Sequence, residues 1–325
     1  MGLRDRRHLV ATRSDVPLSE QSEWPGGFGN WGRWDNERGT LNTITPEKVL
    51  EAVRTVSQGE VYACGAPMSP EFYPETLRTT HNFDEQGFKH EMLSADVFDT
   101  ELGKYASQDK FTLSIHSLEN THIDALSHVG HFGKAFNGVD FFEMVTLEGK
   151  AKHFDVTQLQ GIVTKAILVD VPRLRGVEYL EPGDSVTRDD LDAGAAHAEP
   201  GDAILVRTGR WRAPVVRPDS PGASGDIHGD WAAMNINAMR FFQDHDTSIL
   251  GTDSTGDTFP LPYPKSPTVH ILAEVYLGLP LMHSLQLEAL ADACAAAGRS
   301  EFLLMVAPLN MEGATGSPVS PVCVL

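Results

Sequence analysis

Positive charge is what this 325-residue chain is shortest of: 26 lysines and arginines stand against 45 aspartates and glutamates, a formal net charge of -19. That balance excludes a nucleic-acid-binding face and attraction to anionic membranes, and most of the surplus acid reads as solvated surface. Cysteine is almost absent. Cys64, Cys294 and Cys323 are scattered and odd in number, which excludes a disulfide framework and a CxxC zinc site and fits a reducing compartment. No apolar run approaches the length of a membrane span. The charged start Met1-Gly-Leu-Arg-Asp-Arg-Arg-His leads into no apolar core of signal-peptide length, so the expectation is a cytoplasmic protein. There is no Gly-x-Ser-x-Gly elbow to supply a serine nucleophile. Gly27-Phe-Gly-Asn-Trp-Gly32 has the glycine spacing of a dinucleotide fold, but the preceding Ser19-Glu-Gln-Ser-Glu-Trp-Pro is no buried strand. Nicotinamide or flavin binding is therefore not expected.

What is present is an ordinary globular composition, 41% hydrophobic and 22% charged, in a chain long enough for a sizeable core. We read residues 1–325 as a single domain. Residues 1–44 form an N-terminal arm, 66–110 a long covering loop, and 173–200 an acidic excursion. Thr45-Pro46-Glu47 starts a helix, with a capping hydroxyl and proline at its first position. Val49, Leu50, Val53 and Val56 continue it at helical spacing and Gly59 follows its end. Short apolar runs at 111–115, 166–171, 203–206, 248–250 and 302–307 read as buried strands, and 231–244 and 285–297 as helices. The mixture predicts an α/β fold with a mixed sheet.

Thirteen histidines are available, and the run Thr121-His-Ile-Asp-Ala-Leu-Ser-His128 concentrates the chemistry. In a strand alternate side chains share a face, so Asn120, His122 and Asp124 point the same way and their donors can converge on a cation. A turn after the strand would bring His128 back over the site, as a group able to move protons near neutral pH. Taken singly, each histidine could be a hydrogen-bonded core residue; as a cluster they read as a metal site. His116 has the right parity but lies six residues upstream, roughly 20 Å away in an extended strand at about 3.3 Å per residue. It can reach the site only if the chain bends between Ser117 and Asn120. His270 and His283 lie in apolar surroundings, where an imidazole needs a partner or a metal, so one of them is expected to close the site. Trp31 and Trp34 could wall an apolar substrate pocket.

With these residues in view, the chain resembles the cyclase family of metal-dependent hydrolases, in its longer branch, alongside bacterial kynurenine formamidase and isatin hydrolase. The run at 121–128 is similar to the family's His-x-Gly-Thr-His-x-Asp-x-x-x-His motif. Asn30-Trp-Gly-Arg-Trp34, Arg38-Gly-Thr-Leu-Asn-Thr-Ile-Thr-Pro46, Asn137-Gly138 and Gly313-Ala-Thr-Gly-Ser-Pro318 extend the likeness over nearly the whole chain. The resemblance implies a swivelling β/β/α fold, assembly into a dimer or tetramer, and one or two divalent ions, Zn²⁺ or Mn²⁺. It implies His122 and Asp124 as metal ligands, His128 as the acid and base, and His270 as a further ligand or substrate contact. Leu118 stands where the motif has its first histidine and Asn120 where it has glycine, which leaves His116 to replace that ligand. His283 stands where two-metal members carry a glutamate, so a single ion or a changed ligand set is expected, with His283 on the substrate side.

The expected activity is metal-dependent hydrolysis of a carbon–nitrogen bond in a small amide, formamide or lactam, an amidohydrolase reaction. Two other readings use the same residues. His122-x-Asp124 with His270 also fits the facial triad of a non-haem iron oxygenase, although Ile271 to Ala297 offers no lysine or arginine to hold an oxo-acid co-substrate. The third is a non-catalytic binding protein with a degraded metal site.

Overall fold

The computed structural model describes residues 27–68, 88–99, 101–117, 120–146, 150–213, 232–258 and 266–325. The first 26 residues of the expected arm, much of the expected covering loop, Leu118 and Trp231 lie outside the described residues.

Strands are β1 (Val61–Ala63), β2 (Lys89–Asp99), β3 (Lys104–Thr112), β4 (His122–Asp124), β5 (Ile162–Asp170), β6 (Ser185–Val186), β7 (Ala203–Arg207), β8 (Ala233–Met234), β9 (Ile249–Thr252), β10 (Leu281–His283), β11 (Glu301–Val306), β12 (Gly316–Pro318) and β13 (Val322–Val324). Nine of them make one sheet in the order β1-β13-β11-β5-β7-β9-β10-β4-β12. Its middle, β5-β7-β9-β10, is parallel, and antiparallel strands flank it on both sides. This is a mixed α/β fold.

The parallel strands are buried on both faces, which explains why β5 and β7 read as unbroken apolar runs. Ile167, Val169, Ile204 and Val206 enter one core with Phe241, Phe242 and Tyr276. Their neighbours Ala166, Leu168, Ala203 and Leu205 enter the other with Phe302, Leu304 and Leu290. α1 (Pro46–Arg54) begins at Thr45, whose side chain accepts from Lys48 N–H. Its inward face differs from the expected apolar stripe, for Leu50 and Val53 are exposed while Lys48 and Ala52 are buried. The cause lies in the sheet below, where Lys165 and Asp202 draw Glu51 and Lys48 inward.

Two other expectations are corrected. The strand at 111–115 is displaced: β3 ends at Thr112, and it pairs with β2 in a separate exposed hairpin that occupies much of the expected covering loop. The helix at 231–244 is broken among its described residues into β8, a 3₁₀ turn Ile236–Met239 and a short helix Arg240–Asp244. Asn235 is responsible, since its side chain accepts from Asn237 N–H and caps there, so no helix continues through it. Among the described residues no helix is long and apolar enough to cross a membrane.

Candidate metal centre

β4 lies inside the sheet near its end, between β10 and β12, with His122 opposite His283 and Asp124 opposite Gly316. All three β4 residues are buried and Asp124 is 0% exposed. Ala125 to His128 then form the expected turn, closed by His128 N–H on Ala125 O. The chain also turns at His116, which cancels the distance an extended strand would have imposed. Three groups of donors result, each with ligand atoms within 4.8 Å of one another, and Asp124 belongs to all three: with His116 and His128, with His122 and His283, and with His270 and Glu274.

The hydrogen bonds determine which nitrogens face inward. His122 Nδ1 donates to Asn120 O at 2.7 Å, so the neutral ring carries its lone pair on Nε2, 3.6 Å from Asp124 Oδ1. His270 Nδ1 donates to Asp257 Oδ2 at 2.5 Å, leaving Nε2 3.8 Å from Asp124 Oδ2. A histidine tied through its far nitrogen to a carboxylate or carbonyl is the usual arrangement of a metal ligand. His283 Nε2 is 2.9 Å from Asp124 Oδ2, yet both atoms lack a hydrogen-bond partner, as do His283 Nδ1 and both Glu274 oxygens. Gly256 makes room for these rings: a Cβ there would sit 2.8 Å from His283 Cε1 and 3.4 Å from His270 Cε1. His116 is engaged at both nitrogens, donating from Nδ1 to Asp124 Oδ1 at 2.7 Å and accepting the Thr315 hydroxyl on Nε2 at 3.0 Å. Its ring stacks on His128, centroids 3.7 Å apart.

Charge follows the same pattern. Burial pushes His122 down to about 4 and His128 to about 3, so both rings are neutral at pH 7. Burial lowers His270 too, but the Asp257 carboxylate outweighs it and the net shift is upward. Against its own burial, the surrounding imidazoles hold the Asp124 carboxyl well below the usual range. Burial and the charge of Asp124 push Glu274 well above the usual range. A buried carboxylate ringed by imidazole nitrogens, with a second buried carboxyl group beside it, is a grouping that could hold a metal ion. The donor set of nitrogens and carboxylate oxygens suits a divalent transition metal.

His116, His122, Asp124, His128, His270 and His283 are thus brought together. Asn120 donates from its side-chain amide nitrogen to Ser114 O at 2.8 Å. Trp31 and Trp34, both partly buried, pack on the cluster of Leu126, Phe136, Met144 and Phe154. Glu274 and Asp257 were not anticipated. Glu274 had a signal, as the single charged residue in the apolar stretch from Ile271 to Met282.

The cyclase family model matches residues 44–256. A solved structure of a novel cyclase is 25% identical and superposes with a TM-score of 0.77, over 92% of this chain and 100% of that one. Isatin hydrolase A from Labrenzia aggregata, solved with benzyl benzoate, is 18% identical with a TM-score of 0.54, covering 85% of this chain and 97% of its own. An isatin hydrolase bound to the product analogue thioisatinate is 17% identical with a TM-score of 0.50, over 87% and 99%. No curated protein matches the chain.

Proposed function

Because the chain belongs to the cyclase family, we propose that it is a metal-dependent hydrolase that opens a carbon–nitrogen bond in a small amide, formamide or lactam. The observation that carries this reading is buried Asp124, on which three groups of imidazole and carboxyl donors converge, each with ligand atoms within 4.8 Å of one another. Held by Asp124 with His122, His283, His270 and Glu274 as the available donors, a divalent ion, Zn²⁺ or Mn²⁺, supplies Lewis acidity toward a carbonyl and acidifies water.

The remaining steps fall to the chain. His116 braces Asp124 through Oδ1 and is itself braced by Thr315, and Asp257 orients His270. His128 is half-buried, less enclosed than His122 and His283, and is neutral at pH 7. It takes a proton from the attacking water and, as a strong acid once protonated, delivers it to the leaving nitrogen. The oxygenase reading is disfavoured because the groups meeting at Asp124 offer more imidazole and carboxyl donors than the two histidines and one carboxylate of a facial triad. Assembly into a dimer or tetramer, carried over from the family, belongs to the same proposal and is checked by sedimentation velocity.

The test is a panel of formamides, lactams and matched esters, incubated with chelator-stripped protein and with protein reloaded with Zn²⁺ or Mn²⁺, and followed by mass spectrometry for addition of one water. Ring opening or deformylation that depends on reloading supports the proposal. Fully reloaded protein inert on the amides and lactams while cleaving the esters would overturn the carbon–nitrogen assignment.

A further inference from the structure

His270 and Glu274 sit on an unusual piece of backbone. Residues Ile271–Leu277 form a buried π-helical segment that begins directly after His270 and contains Glu274. Such wide turns are rare and concentrate at functional sites. A π-helix leaves its last carbonyls without helical partners, and in a buried position each must find one elsewhere.

Here four successive carbonyls are met from about 240 residues away. Trp31 Nε1 donates to Val275 O at 2.6 Å, Asn30 N to Tyr276 O at 2.8 Å, Asn30 Nδ2 to Leu277 O at 2.9 Å, and Thr40 N to Gly278 O at 2.8 Å. The approach is too close for side chains at two positions, since a Cβ on Gly29 would lie 2.9 Å from Tyr276 O and one on Gly39 2.0 Å from Gly278 O. Both have positive φ, so glycine is required twice over. The Asn30 amide is oriented by Arg33, which donates to its Oδ1 at 3.3 Å. Trp31 stacks on Tyr276 and lies over Gly138, while Asn137 Oδ1 accepts from Gly32 N. The Gly27–Gly32 pattern that imitates a dinucleotide loop is therefore a collar around the end of the π-helix. Glu274 is carried on this buried π-helical backbone, and the collar binds the end of that backbone.

We propose that Asn30 and Trp31 are positioning residues for the metal centre, holding the π-helix so that His270 and Glu274 face Asp124. The inference rests on the metal-centre reading above. Its test is titration of chelator-stripped full-length protein with cobalt(II) chloride, with affinity from competition against a chromophoric chelator and the coordination read from the visible cobalt absorption. Trp31→Phe keeps the stacked ring and removes the N–H; Asn30→Asp keeps the size and removes the amide donor. Each should weaken Co²⁺ binding about 10- to 100-fold and alter the cobalt spectrum. Thr187→Ala, which removes a distant helix cap, should lower the melting temperature and leave both readings unchanged. Collar variants that lose melting temperature but bind cobalt with wild-type affinity and spectrum would show the collar to be structural only and overturn the proposal. Wild-type protein that binds no cobalt would instead remove the metal-centre reading, and the positioning role with it.

Discussion

Two buried polar clusters flank the parallel strands of the sheet, and they are built in opposite ways. Between α1 and β5, Lys48 and Lys165 converge on Asp202, which is 0% exposed. Lys48 Nζ lies 3.0 Å from Asp202 and 2.9 Å from Glu51; Lys165 Nζ lies 2.8 Å from Glu51 and 3.3 Å from Asp202. Both signs of charge are present and every member has a partner. At β4 and β10 the members are a carboxylate, imidazole nitrogens and a second carboxyl group, and five of their polar atoms have no hydrogen-bond partner. One cluster closes on itself through ammonium–carboxylate pairs, whereas the other leaves donor atoms without hydrogen-bond partners in a grouping that could hold a metal ion.

The comparison breaks most visibly at Asp124. Asp124→Ala should reduce metal content to background and turnover by about a thousandfold or more, since metal-based charge stabilisation is worth several kcal/mol; elemental analysis showing full occupancy would refute the ligand assignment. His128→Ala should lower turnover about 10²- to 10⁴-fold while metal content stays near wild type. Unchanged turnover in the same assay would remove its acid–base role. The paired cluster should respond in the other currency, that of stability. Asp202→Ala leaves two buried ammonium groups short of a counter-charge and should cost about 3 kcal/mol in urea unfolding, with metal content per folded molecule unaffected.

The smallest effect sharpens the contrast by pH. Arg175 and the Thr187 cap outweigh burial and hold the Asp190 carboxyl below its ordinary 3.8. A lowered folded value means that its stabilisation is complete above 3.8 and lost as pH falls through the lowered value. Asp190→Asn should therefore cost about 1 kcal/mol at pH 7 and nearly nothing at the acid end, as measured by urea unfolding at several pH values. A cost equal at both ends would contradict the linkage.

How much of this could be read from residues alone depends on locality. His122, Asp124 and His128 lie within seven positions, so strand parity and one turn are enough to bring them together. The buried strands β5 and β7 showed themselves as unbroken apolar runs. His116 required a bend that no residue type announces. The inward face of α1 could not be read because it is set by charges on β5 and before β7, more than a hundred residues away. Glu274 was visible as a lone acid in an apolar stretch, but its direction depends on a π-helix closed by Asn30 and Trp31, a partnership with no local trace.

Whether the Asp124 cluster holds a divalent cation is read from elemental analysis of the purified wild-type chain. Zinc or manganese is expected at near-stoichiometric content, retained through dialysis and removed by a strong chelator. Absence of any divalent metal, persisting after reconstitution with both ions, would contradict the metal-centre reading.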